Sequence, residues 1–263
     1  MIKENNIGVR IYENNLEGSQ KFAQIFVDNI NLVLKKKKKC VISIPTGNSP
    51  INFYQSLINL YKEKKISFKN VISFKNVIFF NLDEFFPISK HHRESYYYYL
   101  QTKLFNHIDL PRNNINLLEG DIKEKSLKKY CESFEKNIKK LGGLDIQILG
   151  IGRNGHIGFN EPGSNINSIT RKVRISNDSL NIISKDFSNK TRIPKEALTL
   201  GINTILSAKK IYLLAWGLEK ASIIKNTLKG KVNSDIPSTY LQNHNNVSFI
   251  LDKDAASKIL ISD

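Results

Sequence analysis

Cysteine is nearly absent: the 263-residue chain has two, Cys40 and Cys131. Neither sits in a C-x-x-C or other metal-type spacing, which argues against a disulfide scaffold and a cysteine-based metal centre. No run of about 18 uninterrupted apolar residues occurs, and the opening MIKENNIGVRIYENN has no apolar core. The expectation is a cytoplasmic protein with no membrane partner. Acidic residues are also scarce, with 24 Asp and Glu against 40 Lys and Arg, a formal charge of +16. Such a balance invites a nucleic-acid reading. Lysine, however, is spread over nearly every segment among many Asn and Ile, and no helix-turn-helix or basic-aromatic module is visible. We therefore expect no nucleic-acid partner, and a basic surface that favours a negatively charged small substrate. The run Lys35–Lys39 closes an amphipathic segment, where cations suit the negative end of a helix dipole. No linker or composition break divides the chain, so residues 1–263 are expected to form a single domain.

Apolar runs bounded by turn residues at Ile7–Tyr12, Cys40–Ile44, Val77–Leu82, Ile115–Leu118, Leu144–Ile151, Lys210–Trp216 and Val247–Leu251 read as strands. Helical periodicity is clearest over Gln20–Lys36, Pro50–Lys64, Lys123–Lys140 and Leu218–Lys229. The alternation predicts an α/β fold of three layers, a mostly parallel sheet flanked by helices in the Rossmann-like manner. Ligands of such sheets gather outside the carboxyl ends of the strands. One local oddity is a tandem copy, ISFKNV at Ile66–Val71 and again at Ile72–Val77. The second copy runs into IFFNLDE and is expected to supply the strand.

Three strand ends carry polar residues. After Val41–Ile44 comes PTGNSP, a short turn in which Ser49 reads as an N-cap and Pro50 as the first helical residue. Thr46, Gly47 and Asn48 there are candidates for an anion or sugar-hydroxyl cradle, or simply form a well-made βα turn. Two carboxylates, Asp83 and Glu84, follow the continuously apolar Val77–Leu82. Because side chains alternate along a strand, they point to opposite sides and cannot form a paired-acid site. Asp83 is the better functional candidate, with Glu84 capping or pairing nearby. The third end, GIGRNGHIGFNEPG, fits the G-x-G-x-x-G spacing of a dinucleotide loop and follows a strand. Pro162 and Gly163 nevertheless break any helix that should open there. What remains is His156 and Glu161, five residues apart on a glycine-shaped loop that can fold back so that the carboxylate orients the imidazole, a base-plus-orienter arrangement.

Together, IPTGNSP, FFNLDEFF, LGIGRNGHIGFNEPGS and ALTLGINTIL resemble the glucosamine-6-phosphate deaminase family, in its order and approximate spacing. The GHIxFNEP element separates these enzymes from the related 6-phosphogluconolactonases. The resemblance implies that glucosamine 6-phosphate and water give fructose 6-phosphate and ammonia, with no metal and no organic cofactor. It assigns Asp83 as the base for the C2 proton and His156 as the residue that moves a proton during ring opening. Glu161 would polarise His156, and Asn154 would orient the imidazole where many members carry Asp. Lys220 matches a family lysine that reaches the phosphate. The family's phosphate-binding arginine has two counterparts here, Lys185 by gapless alignment and Arg192 by chemistry, and Lys and Arg are not equivalent there. His92, in HHRESYYYYL, is expected to be structural. The chain stops at Asp263, without the C-terminal extension of hexameric, allosterically regulated members, so no allostery is expected. Monomer and homo-oligomer both stay open. A lactonase-like hydrolase and a non-catalytic sugar-phosphate sensor are the rival readings.

Overall fold

The computed structural model describes residues 2–4, 7–63, 76–184, 187 and 193–260. Its main sheet is built from β1 (Ile2–Glu4), β2 (Ile7–Tyr12), β3 (Cys40–Ile44), β4 (Val77–Asn81), β6 (Ile115–Asn116), β7 (Ile146–Leu149), β10 (Lys210–Ala215) and β11 (Val247–Asp252). Their order is β1-β2-β11-β10-β7-β3-β4-β6. Every pairing in it is parallel except that of the short edge strand β1 with β2. The chain steps outward from β3 to β4 and β6, then returns to lay β7 on the other side of β3. The reversal between β3 and β7 opens a crevice at their carboxyl ends, where ligands of such sheets collect.

The parallel strands are continuously apolar because both faces are covered. Successive residues feed opposite cores. Val41, Ile78, Phe80, Leu213 and Phe249 pack with α4 (Leu127–Lys140), α6 (Ile202–Leu206), α7 (Ala221–Lys229) and α8 (Lys253–Leu260). Ile42, Phe79, Tyr212 and Ile250 pack with α1 (Asn15–Lys36), α2 (Ile51–Lys62) and α3 (Tyr96–Lys103) on the other side. These are the three layers expected. Lysines close α1 as the dipole argument requires, with Lys35 and Lys36 in its last turn. Lys37 does more than face solvent, since its ammonium lies 2.6 Å from the buried carboxylate of Asp145. Among the described residues no helix is long and apolar enough to cross a membrane.

A second sheet differs from the sequence reading. β5 (Asp83–Phe86), β9 (Glu196–Thr199) and β8 (Arg171–Arg174) pair antiparallel in the order β5-β9-β8. Leu82 is the crossing point: its N–H donates to Ile44 in the main sheet, while its carbonyl accepts from Leu200 beside β9, both at 2.9 Å. Asp83 and Glu84 therefore begin a new strand rather than end an old one. Other boundaries move by a few residues, three of them with consequences for the site. β6 stops at Asn116, short of Leu118, because the Leu118 N–H is taken by the side chain of Asn81. β7 covers Ile146–Leu149 only. Pro50, not Ser49, holds the cap position of α2, with no side-chain cap bond. The Ser49 carbonyl instead accepts from the indole of Trp216. The tandem copy falls outside the described residues, save for Asn76 and Val77, where β4 starts.

Candidate active site

The loops after β3 and β7 face each other across the crevice. The first, Pro45–Ser49, is gripped from behind by three aromatic donors. Tyr54 binds the Pro45 carbonyl, Tyr99 that of Gly47, and Trp216 that of Ser49. Gly47 adopts φ 83°, a left-handed conformation that glycine enters without the Cβ penalty, so the turn is tight and presents Thr46 and Asn48 inward.

The second loop, 150–163, is not a helix start. The Gly152 N–H donates to the His156 carbonyl and that of Gly155 to the Gly152 carbonyl, both at 3.0 Å. This closes a compact knot, pinned from outside where Ser238 donates to the Gly155 carbonyl at 2.9 Å. The dinucleotide reading fails, as expected. The glycines here make room for a side chain: a Cβ on Gly152 would lie 2.2 Å from the His156 ring.

One cleft of about 200 Å³ collects residues from both loops and from four other segments. Thr46, Gly47, Asn48, Asp83, His156 and Lys220 all line it, with Tyr96 and Ser179. Glu161 stands behind the imidazole, its Oε2 3.3 Å from His156 Nδ1. The same oxygen accepts from the Asn154 amide at 2.8 Å, and Oε1 accepts from the Ser179 hydroxyl. Burial alone would push the Glu161 carboxyl up. The hydrogen bond and charge of His156, with the bonds from Ser179 and Asn154, outweigh it and hold the group down to about 2. Its surroundings therefore favour the charged carboxylate behind the ring. The expected contact of Asn154 with the imidazole is replaced by two others, the carboxylate and the His156 N–H, which donates to Asn154 Oδ1 at 3.1 Å.

Asp83 and Glu84 separate as alternation demands. Glu84 is fully buried and accepts from the backbone N–H groups of Phe85, Tyr96 and Tyr97 at 2.7–2.9 Å. It thereby anchors the start of α3 and sets Tyr96 in the cleft wall. Asp83 faces the cleft with its Oδ1 buried and, among the described residues, without a hydrogen-bond partner. Burial, with the charge of Glu84 beside it, pushes this carboxyl up to about 8. A perturbed, unpartnered acid at a cleft is the profile of a proton-transfer group.

Lys220 ends a short 3-10 turn before α7 and is largely covered, 15% of its side chain remaining exposed. Burial lowers its ammonium while Glu219, 3.8 Å away, pulls it back. Glu219 also pairs with Arg153 on the exposed rim. Lys185 and Arg192 lie outside the described residues. His92 sits at the surface in the turn before α3, its Nδ1 accepting from the Glu94 N–H. Among the described residues no group of three or more His, Cys, Asp or Glu is arranged to hold a metal ion. Sequence reasoning missed Ser179 and Tyr96. A lone serine in NDSL and the first of four tyrosines carry no local signature, and only the fold shows where they point.

The family described as glucosamine-6-phosphate isomerases/6-phosphogluconolactonase matches residues 13–249. A glucosamine-6-phosphate deaminase of Mycoplasma mycoides subsp. mycoides is 41% identical over 249 residues, 95% of this chain and 96% of that one. Another, of Clostridium novyi, is 44% identical over 230 residues, 88% of this chain and 92% of that one. Among solved structures, a monomeric glucosamine-6-phosphate deaminase superposes with a TM-score of 0.88 at 36% identity, covering 96% of this chain and all of the other. A 6-phosphogluconolactonase from Trypanosoma brucei reaches 0.75 at 20% identity over 96% of this chain and 98% of its own, a likeness of fold alone.

Proposed function

The chain belongs to the glucosamine-6-phosphate isomerase/6-phosphogluconolactonase family, and from that premise we propose that it converts glucosamine 6-phosphate and water to fructose 6-phosphate and ammonia. The observation that carries this reading is the convergence of an unpartnered carboxyl, Asp83, and a carboxylate-backed imidazole, His156, on one cleft with Lys220 in its wall. An aldose–ketose isomerisation needs two proton-transfer groups at neighbouring positions of one sugar. This cleft supplies both.

In this reading the phosphate rests on the Thr46–Asn48 turn, against the positive N-terminal end of α2, and Lys220 neutralises it. His156 carries a proton between the ring oxygen and the anomeric hydroxyl, opening the ring. Glu161 stabilises the imidazole when it holds that proton, which a neutral amide at 154 cannot do by charge. Asp83 then takes the C2 proton to give the enolic intermediate. Returning a proton at C1 leaves a C2 imine, and water hydrolyses it with loss of ammonia. Residues 1–263 act in this as one catalytic domain, on a soluble sugar phosphate in the cytoplasm. Lys185 and Arg192 are the two candidates for a second phosphate cation, separable by Lys185→Ala and Arg192→Ala through KM.

The test is direct. Purified protein with glucosamine 6-phosphate should release ammonia and fructose 6-phosphate in equal amounts. Folded protein that releases neither but opens 6-phosphogluconolactone would move the activity to the hydrolase branch. Binding of the sugar phosphate without turnover would make the chain a sensor.

A further inference from the structure

We propose that Asn81 is a positioning residue for the C2 proton transfer, one that fixes Asp83 by clamping its backbone to the segment after β6. Asn81 is the last residue of β4, it is wholly buried, and both ends of its amide are used. Nδ2 donates to the carbonyl of Asp83 and Oδ1 accepts from the N–H of Leu118, each at 2.7 Å. An amide is the one short neutral side chain with a donor and an acceptor back to back. Asn81 therefore joins two main-chain segments that no sheet joins.

A second brace lies on the same segment. The Gly120 carbonyl accepts from Ile88 at 2.9 Å, and a Cβ on Gly120 would lie 2.2 Å from the Phe85 carbonyl oxygen. Residues 118–120 are thus tied to Asp83 through Asn81 and lie against Phe85 and Ile88. Leu82 is pinned on either side by main-chain bonds and Asp83 pairs with Thr199 across β5 and β9, and the Asn81 bond adds a hold on the carbonyl of the residue that carries the base. Among the described residues the carboxyl has no hydrogen-bond partner at Oδ1, so the position of its backbone bears directly on its aim. A misplacement of about 1 Å can cost roughly 100-fold in rate.

The inference rests on the proposed deaminase chemistry, and its test separates the two. The protein would be assayed as Asn81→Asp, which keeps the acceptor for Leu118 and loses the donor to Asp83, and as Asn81→Ser, which leaves space for water. Each would be run with glucosamine 6-phosphate carrying either hydrogen or deuterium at C2. Wild-type protein without ammonia release would sink the chemistry and not the clamp. With active wild type, the expected result for either variant is a roughly 10- to 100-fold fall in kcat, KM held within a few-fold, and a larger C2 isotope effect as proton abstraction becomes limiting. Three results would overturn the proposal: wild-type kcat in both variants; a fall in kcat with an unchanged isotope effect, which marks loss of folded protein; or failure of both variants to fold, which makes Asn81 a structural residue only.

Discussion

Asp83 is costly to the fold and useful to the site for one reason, an acid buried without a partner. Its carboxyl is pushed up to about 8 by burial and by Glu84, so the free protein holds the proton to higher pH than an ordinary aspartate would. In the proposed chemistry the base form is the active one. The fraction able to abstract a proton therefore grows as pH rises and reaches one half near 8. The expected outcome is a kcat/KM that climbs with pH through an inflection near that value, read from a pH–rate profile of the free enzyme. Glu161 behaves oppositely. Held down to about 2, it stays ionised across that profile and contributes no limb. Asp83, His156 and Glu161 were each legible as residues, because strand alternation and a glycine-dense loop are local facts. Ser179 and Asn81 were not, since a serine and an asparagine acquire meaning only from what lies across the fold.

At the scale of elements, Glu84 shows how the scaffold holds the site. Its carboxyl accepts three backbone N–H groups and joins the start of α3 to β5. Glu84→Ala leaves those buried donors without an acceptor, and an unsatisfied buried group costs about 1–3 kcal/mol. Glu84→Ala should lower stability by about 3 kcal/mol in chemical denaturation and loosen Tyr96 in the cleft wall, raising KM. Glu84→Gln, which retains one acceptor oxygen, should lose less. The long amphipathic helices α1, α2 and α4 and the apolar parallel strands were readable because period and burial coincide there. The small sheet was not. β8 is RKVR, charged enough to read as loop, and β9 is EALT, whose Glu, Ala and Leu favour helix. Both become strands because β5 offers them a partner. α3 opens with four tyrosines, residues enriched in strands, and depends on the caps of Ser95 and Glu84.

For the whole molecule, the fold places chemistry by topology. The reversal of strand order between β3 and β7 leaves one crevice at the carboxyl ends, and six separate stretches of chain line it. Alternating strand and helix signals were enough to place that crevice in outline. They could not supply the crossing at Leu82, which turns Asp83 out of one sheet and into another. In the proposed mechanism Asp83 performs the carbon chemistry while the rest of the cleft binds and opens the sugar. Turnover by Asp83→Asn, compared with its calorimetric affinity for glucosamine 6-phosphate, tests this most directly. Near-normal affinity is expected, with ammonia release and solvent exchange at C2 both reduced by roughly 10²–10⁴-fold; wild-type turnover in that variant would assign the carbon chemistry to another group.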